Sequence, residues 1–124
     1  MIPSDENPKD SQAALDLACE ILLEQQDFLL GRVGQLEQDF CDLDCLTQNE
    51  RVAAVSIAMR EIWAHHRSGP QPGNDVSSHP PFKGLRMYAF AWHSSVWKQQ
   101  MYLKFAFAGD RLVVYSFHPS RLTI

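Results

Sequence analysis

Glu61 and His65 stand four residues apart in a stretch of helical periodicity, so both project from one face and together could begin a metal site. The chain offers no HExxH pattern and no evident third ligand, and the pair His65-His66 equally suits the partial negative charge at the end of a helix. Cys19, Cys41 and Cys45 are an odd set without CxxC spacing, which supports neither a disulfide framework nor a zinc site; buried or partly buried free thiols are expected. There is no glycine-rich phosphate loop and no dinucleotide fingerprint, so neither a cofactor nor a metal is expected. The remaining chemistry lies toward the C-terminus, where aromatic and basic residues share short stretches of strand-like sequence. Aromatic rings on a sheet stack bases while cations hold phosphates, a physical route to RNA. Arg86, Tyr88, Lys98 and Lys104 are the candidates for that contact.

The elements that must position these residues follow from patterning. With 124 residues, 45% hydrophobic and 21% charged, the chain reads as one globular domain. No apolar run approaches the roughly 20 residues that span a bilayer, and the acidic Met1-Ile2-Pro3-Ser4-Asp5-Glu6 lacks the marks of a signal peptide, so a cytoplasmic location without a membrane partner is expected. Residues 1–9 read as a flexible polar tail, and Asp10 or Ser11 is placed to cap the helix that follows. Leu15, Leu22, Leu29 and Leu36 recur every seventh residue, with Ala18, Val33 and Phe40 between them. Gly31 and Gly34 leave two alternatives, one helix to about Phe40 or two meeting near the glycines. Gln25 and Arg32 interrupt a strict seam, which favours packing on the protein's own sheet over a homodimer through this helix.

Thr47-Gln48-Asn49-Glu50 is a capping box that opens a second helix, with Val52, Val55, Met59, Ile62 and Trp63 on one face up to His65-His66. Residues 10–66 are thus an acidic helical part. Residues 67–81, rich in Pro, Gly and Ser, read as a loop. Residues 82–124 hold strands at Leu85–Trp92, Gln100–Phe107 and Arg111–His118, the last two joined by a tight Gly109-Asp110 turn. The fold class is therefore α+β, N-terminal helices packed on a C-terminal antiparallel sheet of three or more strands. In the middle strand Met101, Leu103, Phe105 and Phe107 should face the helices, and Tyr102 and Lys104 the other side together with Val113, Tyr115 and Phe117.

The net charge of −4 conceals an asymmetry. Up to Glu50 twelve carboxylates face only Lys9 and Arg32; beyond it nine bases face Glu61, Asp75 and Asp110. The basic half suits a polyanion and the acidic half repels one. The acidic helices, with Glu20, Glu24 and Asp27, suggest the other reading of function: a non-enzymatic inhibitor or adaptor of the phage or plasmid type, working by protein contact.

Met101-Tyr102-Leu103-Lys104-Phe105, then Asp110, then Leu112-Val113-Val114-Tyr115-Ser116-Phe117-His118 resembles the C-terminal hairpin of the MqsR-type toxins, messenger-RNA-cleaving members of the RelE-like group. Phe82-Lys83 and Trp92-His93 stand roughly where that family has a Phe, a functional Lys, and a Trp followed by a functional Gln. The resemblance spans about forty residues. It implies a small bacterial ribonuclease acting without metal, paired with an antitoxin or other protein partner, in which Lys83 and His93 bind phosphate or transfer protons, Tyr102 contributes from the central strand, and His118 replaces a terminal Lys. Such cleavage needs a base for the 2′-hydroxyl, an acid for the leaving oxygen and a cation for the charge on phosphorus. Histidine suits both proton roles near neutrality, which makes His93 and His118 the acid and base and Lys83 the cation. Tyr115 is one residue more than the family pattern has, and one extra residue reverses strand parity. Simple pairing then turns His118 to the side of Met101, away from Tyr102, unless a β-bulge restores it.

Overall fold

The computed structural model describes residues 8–69 and 84–120. Helix α1 (Pro8–Gln25), strand β1 (Leu29–Leu30), helix α2 (Val33–Asp42) and helix α3 (Gln48–Glu61) come first. A 3-10 turn (Ala64–His66), strand β2 (Arg67–Gly69) and the longer strands β3 (Met87–Ser94), β4 (Gln99–Ala108) and β5 (Arg111–Pro119) follow. The protein is α+β, as its patterning implies. The strands make one sheet in the order β1-β5-β4-β3-β2, antiparallel throughout except for β1, which runs parallel to β5. No helix among the described residues is long and apolar enough to cross a membrane.

Alternation along the strands decides which side meets the helices. Phe90 and Trp92 of β3, Met101, Leu103 and Phe105 of β4, and Leu112, Val114 and Phe117 of β5 pack against Leu15 and Leu22 of α1, Leu36 and Phe40 of α2, and Val55 and Met59 of α3. Phe40 joins the layers, with ring centroids 6.0 Å from Phe28 and 5.6 Å from Phe117. The opposite face carries a smaller cluster of Met87, Ala106, Val113 and Tyr115, edged by Leu29 and Leu85. Gly109 has a positive φ of 63° at the first of two turn residues between the paired Ala108 and Arg111, which suits a type II′ hairpin. The capping box of α3 is complete: the Glu50 amide donates to Thr47 Oγ1 at 3.1 Å, and Glu50 Oε1 accepts from the Thr47 amide at 3.0 Å.

Several expectations are corrected. Of the two alternatives left by Gly31 and Gly34, two helices form rather than one, with strand β1 between them where only helix was expected. α1 ends at Gln25; Gln26 takes a left-handed φ of 53° while its side-chain amide donates to the carbonyls of Leu22 and Leu23. Leu29 then enters the sheet opposite Val113, so Leu15, Leu22 and Leu36 serve this chain's own core. The break is enforced at Gly31, whose amide donates to Val114 O at 2.8 Å and where a Cβ would lie 2.6 Å from the Tyr115 ring. Neither Asp10 nor Ser11 is a cap, because α1 begins at Pro8; Ser11 is buried and accepts from Arg67 Nη1 at 2.8 Å. α3 stops at Glu61, which leaves Trp63 61% exposed rather than on the core face, and His65 and His66 in the 3-10 turn. The sheet has five strands: β1 was masked by the leucine repeat, and β2 uses Arg67–Gly69 of the expected loop. Residues 1–7, and 70–81 of that loop, lie outside the described residues.

The register of β5 breaks at one point. Lys104 pairs with Ser116 but Phe105 pairs with Val114, so Tyr115 is the extra residue of a β-bulge. Its ring lies in the outer cluster, fully buried against Gly31, while Phe117 turns inward rather than joining Tyr102 as expected. Beyond the bulge, Tyr102 pairs with His118.

Candidate functional site

The outer face of the sheet is built around alternate residues of β4. Gln100 pairs with His93 of β3; Tyr102 lies between Ala91 and His118; Lys104 lies between Ala89 and Ser116. Because strand side chains alternate, Gln100, Tyr102, Lys104, His93, His118 and Ser116 share this face. Ala91 is small and partly exposed beside Tyr102, whereas Ala89 is fully buried. Tyr102 and His118 have ring centroids 5.5 Å apart, tilted by 31°.

Surroundings set the charge of each group. Burial pushes the Tyr102 phenol above its ordinary value, so it is protonated near neutrality and able to donate a hydrogen bond. Burial first, and then the Arg32 guanidinium, lower the ordinary lysine value of Lys104. Arg32 is exposed at the start of α2, directly after Gly31 closes onto β5. The His118 Nδ1 is 2.7 Å from Pro119 O, a contact in which the tautomer protonated at Nδ1 donates to the carbonyl. His93 is exposed near the end of β3.

Other candidates are elsewhere. Tyr88 pairs with Phe105 and so faces the helices; its ring stacks on Phe105 at 5.7 Å and meets Phe107 at 6.0 Å. Arg67 and Arg86 lie over that ring at 5.0 and 5.9 Å, which removes Tyr88 and Arg86 from the Tyr102 face. Lys98 is exposed in the β3–β4 turn with a positive φ of 59°, held by its amide to Ser94 O at 2.9 Å. Lys83 lies outside the described residues. Of the acidic candidates, Glu20 and Glu24 are exposed on α1, whereas Asp27 pairs with Arg111 at 3.1 Å and accepts from Gln48 at 2.8 Å. Sequence reasoning missed Arg32 and Ser116: the first needed β1 to be recognised, the second the bulge.

Glu61 is not half of a metal pair with His65. Its carboxylate accepts from Trp92 Nε1 at 2.9 Å and from the amide and hydroxyl of Ser95 at 3.0 and 2.7 Å, which fastens the end of α3 to the β3–β4 turn. Among the described residues no three His, Cys, Asp or Glu side chains cluster as metal ligands would. The three cysteines are free thiols; Cys45 is buried and Cys19 half-buried, but Cys41 is exposed, contrary to expectation. No protein-family model, curated protein or solved structure matches the chain.

Proposed function

We propose that this protein is a small intracellular endoribonuclease of the MqsR-like toxin kind, which binds single-stranded RNA on the outer sheet face and cleaves it without a metal. The observation that carries this reading is the bulge at Tyr115, which sets His118 beside Tyr102 on the face shared by His93 and Lys104. A base stacks over Ala91 against Tyr102, and the phosphate lies above Tyr102 between His118 and His93, where the Lys104 side chain reaches toward it. Neutral His118 takes the proton of the ribose 2′-hydroxyl; the 2′-oxygen attacks phosphorus, and the bond to the 5′-oxygen breaks. His93, protonated, supplies the proton to that leaving oxygen. The products are a 2′,3′-cyclic phosphate and a 5′-hydroxyl. The cations and the protonated Tyr102 offset the charge on the non-bridging oxygens.

The test is controlled expression in bacteria of the intact protein and of the His93→Ala/His118→Ala double variant at equal folded abundance. The intact protein should arrest growth and degrade bulk messenger RNA. Loss of both proton carriers should slow cleavage of labelled RNA in vitro, in EDTA, by at least about 100-fold. Unaffected growth and intact RNA at good expression, or equal activity of the double variant, would overturn the proposal.

A further inference from the structure

A groove runs between α1 and α3 on their solvent side. Two adjoining cavities of about 370 and 250 Å³ share Cys19 and Arg60; Leu23, Ala53 and Ile57 line one, and Asp16 and Trp63 the other. Leu23, 72% exposed, and Trp63 stand near its two ends. Large apolar side chains left out of the core at both ends of one groove are the usual mark of an interaction surface. From Gln12 to Gln26 the α1 wall covers about four helical turns, roughly 21 Å at 1.5 Å per residue.

Charge indicates the occupant. Asp16, Glu20 and Glu24 are exposed on α1 and form no salt bridge with any described residue, while Arg60 is the cation of the opposite wall. We propose that this groove docks an amphipathic helix of a separate protein, about four turns long, with apolar residues at i, i+3/i+4 and i+7 and with Lys or Arg flanking them on the side of α1. A second copy of this chain would bring another acidic α1 against the first, and a nucleic acid would meet the same carboxylates, so both are disfavoured electrostatically. This inference is independent of the proposed RNA chemistry, which uses the far side of the sheet.

The test uses two fluorescent designed helical peptides with the same apolar positions, one flanked by Lys and the other by Glu. Binding is measured by anisotropy to the intact protein, to Ala53→Trp, which fills the groove, and to Glu20→Lys/Glu24→Lys, with folding checked by circular dichroism. The basic peptide should bind at least tenfold more tightly than the acidic one, lose at least tenfold on Ala53→Trp, and lose its advantage on charge reversal. In a Cys41→Ser background it should also protect Cys19 from maleimide. Equal binding of the two peptides, no binding, indifference to Ala53→Trp, or a concentration-dependent dimer by sedimentation that Ala53→Trp abolishes would each overturn the proposal. RNA cleavage by Ala53→Trp should be unchanged.

Discussion

At the scale of single residues, the chain uses its polar groups for fastening as much as for chemistry. Burial by itself would raise the Glu61 pKa, but hydrogen bonds from Trp92, Ser95 and Ser94 outweigh it and hold the carboxyl at about 2, against 4.5 when unperturbed. A carboxyl with a lower pKa folded than unfolded gives stability that is present above pH 4.5 and is lost as pH falls through about 2. Glu61→Gln should therefore unfold with a flatter acid limb than the intact protein in urea titrations between those limits. At neutral pH it should be less stable by about 1 to 2 kcal/mol, the lower part of the range for hydrogen bonds to a charged group, because the site is partly exposed. Equal acid limbs would show that these bonds do not favour the ionised form. The sequence exposed Glu61 as a candidate ligand through its spacing from His65, but its partners are Trp92 of β3 and Ser95 of the turn after it, 31 and 34 residues away, beyond the reach of helical periodicity.

At the scale of elements, legibility followed the locality of the determinant. The capping box of α3 and the Gly109-Asp110 hairpin are set by residues within a few positions of one another, and both formed where the sequence placed them. The inward set Met101, Leu103 and Phe105 was equally legible, because alternation is a property of one strand. β1 was not legible: Leu29-Leu30 continues a seven-residue leucine rhythm, and only its pairing with β5 makes it a strand. The β5 side of the candidate face depends on the same distant contact, since Gly31 seats the Tyr115 ring that occupies the bulge, and the bulge sets which way Ser116 and His118 face. A methyl group at Gly31 would lie 2.6 Å from that ring, so Gly31→Ala should cost about 1 to 3 kcal/mol by overpacking. It should also disturb the amide signals of Ser116 to His118 in an NMR spectrum. A fully stable variant with those signals unmoved would mean that the turn and the bulge are uncoupled.

For the molecule as a whole, the charge asymmetry has a structural counterpart. Asp16, Glu20 and Glu24 of α1 are exposed on the helical layer, whereas Lys104 lies on the far face of the sheet and feels the charge of Arg32. Under the proposed RNA reading, a polyanion should be drawn to the sheet face and repelled by α1. If Arg32 and Lys104 each neutralise one phosphate, the logarithm of RNA affinity should fall against the logarithm of salt concentration with a slope of about −1.4, at roughly −0.7 per contact for single strands. Lys104→Ala should make that slope shallower by about 0.7. A slope unaffected by removing Lys104 would move the RNA away from this face.

The segment from Gln25 to Gly31 is tied to the β4–β5 turn and to β5 by three bonds: Gln25 to Asp110 O at 2.8 Å, Asp27 to Arg111 at 3.1 Å, and Gly31 to Val114 O at 2.8 Å. Asp27 and Arg111 are 84 residues apart. During synthesis on a ribosome, β1 therefore has no partner until β5 emerges, whereas β3, β4 and β5 meet through short turns. Closing so long a loop is slow compared with forming a hairpin. The meander should accordingly form early in folding and β1 late. Arg32 directly follows that segment, so its charge should come to bear on Lys104 only at this closure.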